Sequence, residues 1–333
     1  MIDLSTFINT LPKFASCSLF KKKVPLEIFQ RVTYRCNLKC TYCGLWRATR
    51  EEMPTERVKK AMKEFGKAGT KFWEFGGGEP LLRDDIGELI DYAKKQGISF
   101  THLVTNGFFF EKRMDELKNL TDLCISLDGP KEVHEKVRGK GYDEAVKAIR
   151  LARSSGFKPI IMSVLSKYNV ANDFYGLKWI FDFARKEDVQ LVVQPIFPHH
   201  YCNDILNSIE PNKEETIKAL EQVKKFKEEN GIIRNSEAVY DIWIQGLRGN
   251  LPNLKCWGGI AFASLFPDGN MAPCFYKEPS RIKVNGSFLE TFKKLPKMQN
   301  CRCISCYNEN NLLYSLDVRA VSNTFLKKLN FWS

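Results

Sequence analysis

Cys36-Asn37-Leu38-Lys39-Cys40-Thr41-Tyr42-Cys43 places three thiols within eight residues. The chain between them has little reach, so all three sulfurs can converge on one metal centre. Thiolate is the soft ligand that selects zinc, copper(I) or an iron–sulfur cluster. A structural zinc site wants four ligands. This stretch offers three, and its nearest histidine, His102, is far along the chain. Three thiols fit a four-iron cluster with one iron left open to a ligand other than protein.

Cys-x3-Cys-x2-Cys with an aromatic just before the last cysteine resembles the signature of the radical SAM superfamily. The resemblance implies that the open iron binds S-adenosylmethionine (SAM) through its amino and carboxylate groups. One electron from the cluster then cleaves SAM to methionine and a 5′-deoxyadenosyl radical. It further implies an electron donor of flavodoxin or ferredoxin type, and an aromatic, Tyr42, packed beside the adenine. On the motif alone a zinc knuckle is the alternative.

Around this loop the chain repeats strand, loop and helix. Strands are expected over 28–34, 71–75, 100–104, 123–127, 158–165 and 189–194. Helices are expected over 55–68, 86–95, 143–152, 174–185 and 213–229, the first with Val58, Ala61, Met62 and Phe65 on one face. Such a series argues for parallel strands with right-handed crossovers. A closed eight-fold barrel would need two more units, and the chain turns cysteine-rich instead. The expected fold is α/β: a partial (β/α)6 TIM-like barrel over 28–235, with a small C-terminal iron–sulfur domain over 236–311. In barrels of this type the chemistry sits at the C-terminal ends of the strands.

Those ends supply the next candidates. Gly76-Gly77-Gly78-Glu79-Pro80 follows the second strand, and glycine lets a backbone approach a ligand closely. It resembles the family's GGEP loop, which implies that Gly77, Gly78 and Glu79 hold the SAM amino group. Asn106 ends the third strand, where it can reach the cofactor ribose or favour its own turn. Ser126 and Asp128 end the fourth and resemble positions near ribose or substrate; an Asp-Gly turn is the plain alternative. Arg138 lies in a Gly-rich stretch read as a loop, and its planar fork suits the SAM carboxylate.

Eleven cysteines in a 333-residue chain, most of them clustered, read as metal ligands in a reducing cytoplasm rather than as disulfides. Cys17, Cys124 and Cys202 read as ordinary thiols. Cys256, Cys274, Cys303 and Cys306 resemble a shortened SPASM or twitch extension, which implies a second, auxiliary [4Fe-4S] cluster. Four thiolates would close that cluster and suit it to electron transfer, with Cys301 the rival of Cys303. Four thiolates also suit zinc.

A net charge of +12 is dispersed, with Lys21-Lys22-Lys23 the one dense run, so nucleic acid is not an expected partner. No apolar run is long enough to span a bilayer, and no export signal is read at the N-terminus. Residues 1–27 are an apolar and basic leader, and 312–333 a basic amphipathic tail. Both ends either cover the open sides of the barrel or lie on the inner face of a membrane. The second reading leans towards a lipid or isoprenoid substrate. A peptide maturase is the alternative enzyme, and an electron carrier or assembly protein the non-enzymatic one.

Overall fold

The computed structural model describes residues 22–49, 51–197, 209–251 and 255–298. Six strands, β1 (Glu27–Thr33), β2 (Phe72–Gly77), β3 (Phe100–Thr105), β4 (Asp122–Ser126), β5 (Ile160–Leu165) and β6 (Gln190–Pro195), lie side by side in chain order. Every neighbouring pair among them is parallel. The crossovers carry α1 (Thr55–Ala68), α2 (Ile86–Lys95), the short α3 (Phe110–Arg113), α4 (Lys131–Arg138), α5 (Tyr142–Ser154) and α6 (Lys167–Lys186). After β6 come α7 (Lys213–Asn230) and α8 (Glu237–Leu247). This is the partial (β/α)6 barrel that the sequence predicts.

Local rules account for these elements. The stripe Val58, Ala61, Met62 and Phe65 is fully buried against the strand residues Ile28, Trp73 and Phe75. Gly69 stops α1 in the left-handed region, its N–H returned to the last turn. Asn212 and Glu215 form a capping box at the start of α7. On β1, Ile28 and Val32 belong to the helix-covered core. Side chains alternate along a strand, so Phe29, Arg31 and Thr33 point to the inner face.

Three features differ from the sequence reading. Residues 131–138 form a helix, so Arg138 is the last residue of α4 rather than part of a loop. Two turns carrying five charged side chains give little apolar signal; Val133, His134, Val137 and Arg138 are nonetheless buried. α6 starts at a Ser166 capping box, seven residues before the predicted start, and is interrupted where Ala171–Phe174 leave helical geometry. The third difference concerns the C-terminal stretch. The Asp268-Gly269-Asn270 turn does join two antiparallel strands, β7 (Phe262–Leu265) and β8 (Met271–Ala272). β7 then adds in parallel to the free edge of β1, giving the eight-strand order β6-β5-β4-β3-β2-β1-β7-β8.

Tyr240 and Trp243 of α8, Leu265 of β7 and Phe292 of α9 (Phe288–Lys294) share one hydrophobic core with the barrel helices. Among the described residues no helix is long and apolar enough to cross a membrane. Most of the leader, the tail from 312, and Cys17, Cys202, Cys301, Cys303 and Cys306 lie outside the described residues.

Candidate active site at the strand ends

The loop after β1 carries Cys36, Cys40 and Cys43, all partly buried. Two neighbours hold it in place. On one side the glycine-rich loop after β2 is bonded along it: Gly78 N donates to Thr33 O at 2.9 Å, and Glu79 N to Arg35 O at 2.8 Å. This closeness requires glycine. A Cβ on Gly77, whose φ is +132°, would run into the Thr33 carbonyl, and one on Gly78 into that of Arg35. On the other side, Thr41 donates both its N–H and its hydroxyl to Val137 O, each at 2.9 Å, so the end of α4 clamps the cysteine loop.

Glu79 is buried, and its carboxylate joins two loops. It accepts from Leu81 N at 3.0 Å, Thr105 Oγ1 at 2.8 Å and Asn106 N at 2.8 Å. Burial pushes its carboxyl up to about 7, against those three donors. Asn106 carries the chain of contacts onward, its Nδ2 donating to Asn37 Oδ1 inside the cysteine loop at 2.8 Å. Asp128 is fully buried. Its carboxylate receives Nε and Nη2 of Arg138 and, at 2.9 Å, the N–H of Val164. Arg138 lies 5.4 Å from the ring of Tyr42, which packs against Val137, Val164, Ile196 and Ile209. Ser126, also buried, ends β4 two residues before Asp128.

Tyr42, Gly77, Gly78, Glu79, Asn106, Asp128 and Arg138 are therefore linked to one another or to the cysteine loop. Asp128 and Arg138 spend hydrogen bonds on each other that the sequence reading reserved for a ligand. The sequence reading did not pick out Asn37, Thr105, or the pair Glu52–Arg35, whose bonds measure 2.8 and 3.0 Å beside Cys36. Asn37 sits inside the motif itself; the other contacts join residues distant in sequence.

Three thiols on one loop fit a four-iron cluster with one iron left open. Among the described residues no group of three or more His, Cys, Asp or Glu is set to hold a single metal ion. The thiols lie close enough to act on one another, Cys43 on Cys36, and both Cys36 and Cys43 on Cys40. Burial pushes the Cys36 thiol up to about 11 and Cys40 up to about 12, with Arg138 drawing both downward. Bound iron would take the place of those protons.

A second thiol pair lies in the C-terminal stretch. Cys256 and Cys274 are buried. A Cβ on Gly258 would sit 3.4 Å from Cys256 Sγ and 2.9 Å from Pro273 O, so glycine lets the two strands of chain close. Met298 N donates to Gly258 O at 3.0 Å, tying the residues just before Cys301 to the chain beside Cys256.

Comparison with known proteins agrees with this geometry. Residues 31–173 match the family model described as the Radical SAM superfamily. The chain is 28% identical over 268 residues to the probable GTP 3′,8-cyclase of Methanococcus maripaludis, covering 76% of this chain and 86% of that one. It is 26% identical over 307 residues to the mycofactocin maturase MftC of Mycolicibacterium smegmatis, covering 85% and 75%. In fold it is similar to SuiB of Streptococcus suis bound to S-adenosylmethionine, with a TM-score of 0.69 at 17% identity, over 91% of this chain and 74% of that one. The cysteine loop, the glycine loop pinned against it and the barrel that presents both thus have one explanation: residues 31–173 form a radical SAM domain.

Proposed function

We propose that this enzyme reductively cleaves SAM and directs the 5′-deoxyadenosyl radical to a hydrogen atom of its substrate. The observation that carries this reading is the bonded path Cys-loop Asn37–Asn106–Glu79, which seats the glycine-rich loop against the three thiols. When bound, a [4Fe-4S] cluster supplies the electron and SAM the radical precursor, chemistry that no side chain provides.

The protein's own residues bind and orient. Cys36, Cys40 and Cys43 hold the cluster. The backbone of Gly77 and Gly78, stiffened by Glu79, frames the SAM amino group, and Tyr42 packs beside the adenine. Asn106 and Ser126 face the ribose. Asp128 acts through Arg138, fixing a guanidinium beside Tyr42 and the Cys40 thiol.

For the auxiliary [4Fe-4S] cluster the reading assigns Cys256 and Cys274 with Cys303 and Cys306, a closed ligand set suited to passing an electron. An iron count tests this assignment. Anaerobic reconstitution should load roughly eight irons per chain. A Cys256→Ala/Cys274→Ala variant should keep about half, and zinc at this second site would remove the electron-transfer role.

A second reading, peptide maturation, has specific support. The match to MftC runs over 85% of the chain, and one SuiB structure of the same fold is bound to the precursor peptide SuiA. The lipid or isoprenoid reading rests mainly on the terminal segments, outside the described residues.

A further inference from the structure

We propose that Arg31 is an oxyanion-binding residue of the substrate chamber, offering a side-on fork to a carboxylate or phosphate group. Arg31 is 1% exposed and points to the inner face of β1, where its backbone pairs in register with Gly76 at the foot of the glycine-rich loop. Its Nη1 donates to the fully buried carboxylate of Glu278, which also receives the hydroxyl of Tyr34. The rings of Phe275 and Phe266 lie 4.6 and 5.6 Å from its guanidinium carbon. Its Nε and Nη2 are buried with no hydrogen-bond partner among the described residues.

Those two atoms form the edge that matches two oxygens at once. Elsewhere in this protein the same edge lies on a carboxylate: Arg35 on Glu52, Arg83 on Asp85, Arg113 on Glu116 and Arg138 on Asp128. Arg31 has a carboxylate within reach and meets it with Nη1 alone. A buried donor pair left open in a native protein calls for a partner, and the fork's geometry names its chemistry. Glu278 and the aromatic rings fix the plane of the guanidinium, so the fork is presented ready-made. Phe266 and Phe275 belong to the C-terminal stretch that flanks β1.

The inference rests on the radical enzyme reading only in taking the inner face as the substrate chamber. Binding to the anaerobic holoenzyme is measured by calorimetry with two probes, pyrophosphate and succinate, at matched ionic strength. Saturable binding of pyrophosphate alone assigns the fork to a phosphate, and of succinate alone to a carboxylate. Arg31→Lys keeps the charge and loses the fork, and should weaken binding at least tenfold. Glu278→Gln leaves the fork and frees the charge of Arg31, and should tighten binding severalfold. Neither probe binding, or equal binding by wild type and both variants, would overturn the proposal. Deoxyadenosine formation by the wild type is assayed on the same preparation. Cleavage without probe binding rejects the oxyanion site alone; probe binding without cleavage supports that site and rejects the enzyme reading.

Discussion

Arg138 and Asp128 are joined by an ion pair in which neither side chain meets solvent appreciably, 8% and 0% exposed. The pair fixes the end of α4, and the neighbouring Val137 carbonyl clamps the cysteine loop through Thr41. Removing one partner leaves a buried charge without compensation. Arg138→Met should therefore cost about 3–5 kcal/mol, read by urea unfolding of the apo-protein. The conservative Asp128→Asn should cost less, because its amide oxygen can still accept from Val164 N.

Gly77→Ala and Gly97→Ala separate close approach from backbone conformation. Both glycines have positive φ, but an added Cβ on Gly97 meets nothing within 4 Å, whereas on Gly77 it meets the Thr33 carbonyl. Gly97→Ala should cost only about 1–2 kcal/mol for the left-handed backbone. Gly77→Ala should cost more and also weaken SAM binding at least tenfold, measured by equilibrium dialysis.

The barrel was legible from the sequence because each strand–helix unit carries its own period and punctuation, as α1 and Gly69 illustrate. The contacts that finish the site were not. β7 pairs with β1 across more than 230 residues, and no local pattern records such a partner. Arg138 read as a loop residue because Gly139 and Gly141 follow it, while the two turns before it are largely charged. Arg31 gives no local signal, since one arginine among the polar and apolar residues of β1 shows neither its Glu278 partner nor its open fork. The motif thiols and the glycine loop were visible because their chemistry is local.

His134 gives a pH signature. It is buried on α4 with Nδ1 accepting from Asp128 N at 3.4 Å, facing Asp128, Arg138 and Tyr142. Burial pushes its imidazole down to about 4. A group depressed on folding stabilises fully above its unfolded value near 6.5, and that stability is lost as pH falls towards the folded value. Between pH 6.5 and 4 the loss should approach roughly 3 kcal/mol. His134→Gln should flatten that part of the pH–stability curve, measured by unfolding at several pH values; parallel curves for the two proteins would contradict this.

Glu79→Ala removes the acceptor shared by Leu81 N, Thr105 and Asn106. The loops after β2 and β3 should then part, with SAM affinity falling at least tenfold while the iron content of the first cluster is kept. Iron lost together with SAM binding would show instead that Glu79 supports the cysteine loop directly.

The most direct test of the central claim is product formation. The anaerobically reconstituted protein is reduced in the presence of SAM, and 5′-deoxyadenosine and methionine are quantified by liquid chromatography. Both should appear in equal amounts with the wild type, and neither with a Cys36→Ala/Cys40→Ala/Cys43→Ala variant. A fully iron-loaded wild type that leaves SAM intact would contradict the account and leave an electron-carrying cluster protein in its place.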